Sequence, residues 1–578
     1  MTSNNSSDMT SSIATLDEDG KPPETRMGTA EDCRNLVRLW IRNDLDYGRS
    51  KKRQTTTGQI QGNPPYRRSK LIEDGRGDAF NFNSRTAEAY EQSAMGAVYD
   101  LFSEAETYTT IRLKGKDADT ANDWSAITDE EFQTLQEKDE TWDSVMQNSI
   151  RETVRFNAGP LIFPDKLDWH VSNVPFEYLL VPDDASSIVK RWETCAVRTD
   201  MLCHELYNYI RNPEAAERVG WDVEAARQAI INAAPVDFAN NAGGSPSWEF
   251  LQQQLKQSSF SFSSRSKVIQ CVHFFAREFA GKDSPEGRIS CSIFVLSPQG
   301  GSSGENATSQ RFLYKAIKSY DSWKQIVHPM YYSQGEGGKH YGGTGQGVKM
   351  YGLLAAQNLM LNNACDKAFA PKVMFKPGSA SGKQKALTPS RKGDYMVLPD
   401  GWDMQQVAIG SMIDDQILMN RELSGILSAN LSTYRQNLEA PKSGNPITAK
   451  EVEVRGADQA RMGKTQLNRY YEQLDWLYEE RYRRACNPKL LKSDPGGEEA
   501  LEFQKRCRDR GVPTAELLHY YSVKATRVTG QGSPYLRQQA LQSTFVSIGG
   551  RLPEDGLENL TKDLVAAMHG QNMVTRYY

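Results

Sequence analysis

The stretch from Gln346 to Pro488 constrains this chain more than any other, because it encodes two helices apolar on too many sides to stand alone and a third of unusual length. From Gln346 to about Phe369, Val348, Tyr351, Leu354, Ala355, Leu359, Leu361, Cys365 and Ala368 fall on more than one helical face, while Asn358, Asn362 and Asp366 form a narrow polar strip at four-residue spacing. Pro371 ends this helix, since proline lacks the N–H donor and disfavours helix in the residue before it. A second helix is expected from about Met404 to Leu427, with Val407, Ile409, Met412, Ile413, Ile417, Leu418 and Leu423 opposed by Asp414, Asp415, Asn420, Arg421 and Glu422. A Ser/Asn/Gly/Pro loop from Ser428 to Pro446 then leads to the capping box Thr448-Ala449-Lys450-Glu451. From there to Asn487 no proline interrupts a helical pattern through Leu467, Tyr471, Leu474, Tyr478 and Tyr482, about 60 Å of helix at about 1.5 Å per residue.

The rest of the chain is that of an ordinary folded protein with room for several domains: 578 residues, 38% hydrophobic and 25% charged. A net charge of -4 argues against a protein that coats nucleic acid through a basic surface. Eight scattered cysteines without a C-x-x-C pair read as buried free thiols rather than a disulfide framework or zinc site. No apolar run reaches membrane-spanning length, and the polar N-terminus is unlike a signal peptide.

Residues 1–29 are Ser/Thr/Asn/Asp-rich and are expected to be a disordered arm. Ala30 to Tyr47 reads as an amphipathic helix, followed by basic clusters at Arg49-Ser-Lys51-Lys52-Arg53 and Arg67-Arg68-Ser-Lys70, either solvated charged loops or contacts for phosphates or an acidic partner. Helices are expected over Arg85–Glu106, Asp129–Phe156, Ala185–Arg211 and Val223–Ala234, the last capped by Asp222. Thr107–Leu113 reads as a strand, Gly159–Pro182 as short strands joined by turns, and Lys267–Glu278 with Arg288–Leu296 as an antiparallel pair followed by a third strand near Phe312 to Ile317. Beyond Pro488 the pattern gives a charged helix over Glu498–Arg510, a strand over Tyr521–Val528, and a helical pair over Ser533–Ile548 and Glu554–His569.

Catalytic patterns fail on inspection. Gly463-Lys464-Thr465 lacks the earlier glycine of a phosphate loop, since Asp458 stands there, and His204-Glu205 has Asn208 where a zinc protease needs its second histidine. Gly342-Gly343-Thr344-Gly345-Gln346-Gly347 before a helix is either an anion-binding turn or a flexible connection. Asp414 and Asp415 are adjacent on a helix and point about 100° apart, poorly placed to share a metal or proton. No catalytic residue, metal ligand or cofactor is assigned, and the chain reads as a non-enzyme.

The order of these parts resembles the portal proteins, or head-to-tail connectors, of tailed bacteriophages, most like those of short-tailed phages. The resemblance rests on the Gly-rich entry and helix GGTGQGVKMYGLLAAQNLMLNNACDKAFAP, a short connection, the returning helix DMQQVAIGSMIDDQILMNRELSGIL, a loop, and the long helix opening ITAKEVEVRGADQARM. It covers about residues 30–570 and is one of order more than of exact motif. It implies a mainly helical α+β portal fold with wing, stem, clip and crown. After the arm, residues 30–345 would be wing, 346–370 the first stem helix, 371–403 the clip, 404–427 the second stem helix, 428–446 the tunnel loop, 447–487 the long wing helix and 488–578 the end of the wing and the crown.

The resemblance further implies a homo-dodecameric ring at one capsid vertex, assembled in the bacterial cytoplasm and retained in the virion. Double-stranded DNA would pass transiently through its channel during packaging by the terminase large subunit and again at ejection. Tail adaptor proteins, scaffolding protein and major capsid protein would be the other partners. Position by position, the tunnel loop would present Asn430, Tyr434, Arg435, Gln436, Asn437 and Lys442 to DNA, through phosphate contact and weak hydrogen bonds without base reading. The clip would present Lys372, Lys376, Lys383, Lys385, Arg391 and Lys392 for docking, with solvated loop charges as the alternative. Tyr351, Leu354, Leu361, Ile413 and Ile417 would pack between subunits. The competing readings are another structural virion protein, such as a tail adaptor or internal core protein, and a nucleic-acid enzyme.

Overall fold

The computed structural model describes residues 26–73, 79–103, 109–113, 118–233, 268–279, 287–296, 311–369, 372–377, 388–389, 402–406, 418–423, 425, 469–492, 494–513 and 521–525, with a few short pieces between 542 and 564. The fold is mixed α and β with several separate antiparallel sheets. In chain order the helices are α1 (Ala30–Asp46), α2 (Arg49–Ile60), α3 (Arg68–Glu73), α4 (Thr86–Ser103), α5 (Ala118–Glu137), α6 (Trp142–Phe156), α7 (Cys203–Ile210), α8 (Pro213–Val219), α9 (Val223–Ala233), α10 (Gln346–Phe369), α11 (469–485) and α12 (Gly497–Asp509). The strands are β1 (Thr109–Leu113), β2 (Ala158–Ile162), β3 (Ser172–Asn173), β4 (Leu179–Leu180), β5 (Thr194–Leu202), β6 (Val268–Arg277), β7 (Ile289–Val295), β8 (Tyr314–Tyr320), β9 (Val327–Tyr331), β10 (Lys372–Pro377), β11 (Thr388–Pro389), β12 (Trp402–Gln406) and β13 (Tyr521–Ala525). They fall into two compact units, the first formed by Met1–Lys51, Gly159–Gly343 and Glu480–Leu501, the second by Lys52–Ala158, Thr344–Glu479 and Glu502–Tyr578. Among the described residues no helix is long and apolar enough to cross a membrane.

The first unit is built on a five-stranded antiparallel sheet in the order β4-β5-β6-β7-β8. Strand β6 is almost continuously apolar because both of its faces are covered. Val272, Phe274 and Ala276 face Val37 and Trp40 of α1, with Trp40 stacked on Phe274 at 6.1 Å. On the opposite face, Ile269 and Cys271 pack with α7, α8 and α9, and Phe275 joins Trp192, Trp323 and Val327. The expected pair of strands is therefore present as β6 and β7, and β8 lies where a third strand is expected. The helix expected over Ala185–Arg211 is largely overturned: Thr194–Leu202 is β5, paired with β6 from Thr194↔Ala276 to Leu202↔Val268, and only Cys203–Ile210 is α-helical. Partnership with β6 outweighs a helical pattern that local periodicity allowed. Upstream, the Trp192 indole donates to the Ser186 carbonyl at 2.6 Å and holds 186–192 in a turn.

Glu480, Arg481 and Arg484 form a buried polar knot in this unit. Arg484 donates Nε to Glu480 at 2.8 Å, and its Nη atoms to the Asp168 and Gln325 carbonyls at 2.8 and 2.7 Å and to the Asp165 carbonyl. Its guanidinium lies 4.0 Å from the centre of Phe163, and that of Arg481 lies 4.9 Å from Trp169. Near it, His328 is 4% exposed and presents Nε2 2.6 Å from the Lys324 carbonyl, which fixes that nitrogen as the protonated one. Burial pushes His328 down to about 4, so it is neutral near pH 7.

In the second unit, α4, α6 and α10 pack together, and β1 pairs with β13 from Thr109↔Ala525 to Leu113↔Tyr521, joining the two runs expected as strands. The single helix expected over Asp129–Phe156 is instead two, because Asp139 Oδ1 accepts from the Thr141 backbone N–H at 3.2 Å and from its hydroxyl at 2.8 Å, a local alternative to the helical ladder. Asn157, at φ 85°, terminates α6 in the left-handed conformation that asparagine tolerates. Asp129 lies at the junction of α5 and β1, accepting from the Thr109 hydroxyl at 3.2 Å, and burial pushes its carboxyl up to about 6.

Elsewhere the outcome is mixed. Helices α1, α4, α9 and α12 stand where expected, and Asp222 Oδ1 accepts from the Ala225 N–H at 2.9 Å at the start of α9. Both basic clusters read as loops are helical instead, Arg49–Arg53 opening α2 and Arg68–Lys70 opening α3. Seven of the eight cysteines are buried free thiols and Cys365 is half-buried. The arm over 1–25, the start of the long helix at Thr448 and most of the helical pair after Ser533 lie outside the described residues.

Candidate channel and docking elements

Helix α10 occupies the expected span, and its burial inverts the usual pattern. Within its own chain the buried positions are Met350, Leu354, Gln357, Asn358 and Asn362. Three of these five carry side-chain amides, whereas Val348, Tyr351, Leu353, Leu359, Met360 and Leu361 are only half-buried. At about 100° per residue, Val348 and Leu359 fall on a different side of the helix from Met350 and Leu354.

Two of these amides, Asn358 and Asn362, bond the backbone of residues 82–84. Asn358, Asn362 and Asp366 accept from the N–H groups of Ser84, Phe82 and Phe80 at 3.0, 2.9 and 2.6 Å, one acceptor per helical turn against every second residue of the segment. Asn362 Nδ2 donates back to the Phe82 carbonyl at 2.8 Å. The intervening residues bind elsewhere: Asn81 Oδ1 accepts from Tyr66 N–H and its Nδ2 donates to the Tyr66 carbonyl, while Asn83 Nδ2 donates to the Gln59 and Asn63 carbonyls. Phe80 and Phe82 are exposed. The polar strip is visible in the sequence; its partner, about 280 residues away, is not, although the alternation Phe-Asn-Phe-Asn is the available signal.

The Gly-rich entry to α10 makes a close backbone contact with the end of α6. A Cβ at Gly345 would stand 2.3 Å from the Arg155 carbonyl oxygen and 2.5 Å from the Phe156 nitrogen, so only glycine lets the start of α10 approach the end of α6. A Cβ at Gly347 would stand 3.3 Å from Arg155 Cα.

After α10 the chain makes a small antiparallel sheet in the order β11-β10-β12. Strands β10 and β12 pair from Val373↔Gln406 to Pro377↔Trp402, so the excursion that leaves α10 closes on itself. Met404, Gln405 and Gln406 therefore belong to β12, correcting the expectation that the second helix begins at Met404; the ladder with β10 claims them. Residues 418–423 are helical.

Of the sequence-derived site residues, Lys372 and Lys376 lie in β10, in register with Pro389 and Asp403. Lys383, Lys385, Arg391, Lys392, Ile413 and Ile417 lie outside the described residues, as do Asn430, Tyr434, Arg435, Gln436, Asn437 and Lys442. Tyr351 and Leu361 are half-buried on α10. Leu354 is 5% exposed and packs within its own chain against Ile60, Ala87 and Met350. Among the described residues no cluster of His, Cys, Asp or Glu is placed to hold a metal ion. No protein-family model matches the chain, and no curated protein sequence matches it.

Proposed function

We propose that this chain is a portal protein: twelve copies form a ring at one capsid vertex, through which the terminase motor drives DNA inward and from which DNA later leaves. The observation that carries this reading is the inverted burial of α10, whose Asn358 and Asn362 are bound by its own chain while Val348, Tyr351 and Leu359 remain half-covered. Apolar side chains on several faces of a long helix are stabilised when neighbouring copies cover them, and a closed ring supplies such neighbours to every copy. The self-closing sheet β10–β12 fits a clip projecting between two stem helices, where motor and tail adaptors would dock in turn. The net charge of -4 suits a channel along which DNA slides, since a strongly basic lining would hold the phosphates.

The test is location. In phage particles assembled with this chain, gold-labelled antibody against it should mark a single vertex of each DNA-free capsid precursor. Label confined to tails would favour a tail adaptor, and label throughout the shell or core would favour another structural role.

A further inference from the structure

A small, partly open cavity of ≈ 20 Å³ lies at the contact between α10 and α6, with walls from α2, α4, α6 and α10. Ile60, Ala94, Val154 and Met350 supply apolar wall, and among the polar side chains lining it Thr56 is 2% exposed and Gln59 9% exposed. Thr56 Oγ1 and Gln59 Nε2 are buried and have no hydrogen-bond partner among the described residues. The Glu91–Arg155 ion pair forms a further part of the wall, with Arg155 Nη2 donating to Glu91 Oε2 at 3.0 Å and Nε to Oε1. The first turn of α10 adds Gln346 and Gly347, whose backbone N–H groups precede the helical ladder that starts with Lys349 N–H on Gly345 O.

We infer that this cavity is a hydration site holding one or two ordered water molecules that bond Thr56 Oγ1 and Gln59 Nε2. Each ordered water needs roughly 10–15 Å³ of such space and two to four polar partners, and the cavity offers both. An apolar guest would leave the hydroxyl and amide unpaired. An inorganic cation finds no free charge, because both Glu91 oxygens are engaged by Arg155; an anion finds the same guanidinium already neutralised. Water is the one ligand class that fits both the volume and the balance of donors and acceptors. The inference is independent of the portal reading. It makes the seat of α10 on α6 a wet contact beside a close glycine contact, where an apolar plug would otherwise be expected.

The sign of one substitution tests it. In the full chain, Thr56→Val keeps the shape and removes the hydroxyl. If water bonds that hydroxyl, the variant loses a bridged network and its Tm falls by about 2–4 °C. If the cavity is dry, the variant removes an unsatisfied buried group and its Tm stays or rises, which overturns the proposal. Should Thr56→Val fail to fold, Thr56→Ser and the unmodified chain decide the matter in maps near 2 Å resolution. Density within about 3 Å of both Oγ1 and Gln59 Nε2 supports the site, and its absence there overturns it.

Discussion

The two units solve the problem of burial in different ways. The first covers both faces of its central sheet with its own helices and loops, fills the layers with Trp40, Phe274, Trp192 and Trp323, and ties buried arginines to carbonyls of the same unit. The second spends the buried side of its longest described helix on amides that hold residues 80–84, and leaves apolar residues of that helix half-covered. The first unit's central sheet is covered on both faces within its own chain, whereas α10 in the second leaves apolar side chains half-buried. This difference is the physical content of the ring proposal.

The largest expected effect attacks completeness in the first unit. Arg484→Ala would leave the buried Glu480 carboxylate, 5% exposed in its side chain, with Arg483 as its remaining guanidinium partner, and leave the Asp165, Asp168 and Gln325 carbonyls without their donor. The loss of these charge-assisted bonds to buried carbonyls should be about 2–4 kcal/mol in urea unfolding followed by circular dichroism. A loss below 1 kcal/mol would mean that the knot is not what closes this unit.

In the second unit, Asn362→Ala removes the acceptor for Phe82 N–H and the donor to its carbonyl. The expected cost is about 1–3 kcal/mol, read as roughly 5- to 100-fold faster amide exchange confined to residues 80–84. Unchanged exchange there would show that the amide ladder does not hold the segment.

The units should also respond to acid with opposite sign. His328 has its folded value near 4, below the ordinary 6.5, so its contribution is present above pH 6.5 and is lost as pH falls toward 4. Asp129 has its folded value near 6, above the ordinary 3.8, so its contribution is present below pH 3.8 and is lost as pH rises through 6. Asp129→Asn should accordingly stabilise the second unit by about 1–2 kcal/mol at pH 7.5 and have little effect at pH 3.5. Exchange in β6 and in β1 reports the two units separately, and parallel pH profiles would erase the contrast.

What the sequence made legible follows the same division. Strands β6 and β7 were readable because β-branched and aromatic runs flank a turn, and α10 because its apolar and amide positions recur at helical spacing. Strand β5 was not, since TCAVRTDML becomes a strand through partnership with β6, a contact about 80 residues distant that local pattern does not encode. The break between α5 and α6 turned on one carboxylate, Asp139, satisfying Thr141 locally. At the candidate site the strip Asn358, Asn362, Asp366 was visible, but its role as a backbone clamp needed the partner segment. The glycines before α10 announced a special backbone without saying that the reason was the end of α6.

The smallest expected effect on the stability of one copy comes from Leu359→Asp, because Leu359 is only half-buried within its own chain. A change of about 1 kcal/mol or less in monomer unfolding, together with loss of assembly, would place the helix's importance between copies. The most direct measurement is therefore electron microscopy of the purified full chain beside Leu359→Asp. The account predicts closed rings with a central hole and twelve-fold symmetry for the unaltered chain and dispersed single copies for the variant. Unaltered chain that remains as single copies at concentrations where it is folded would contradict it.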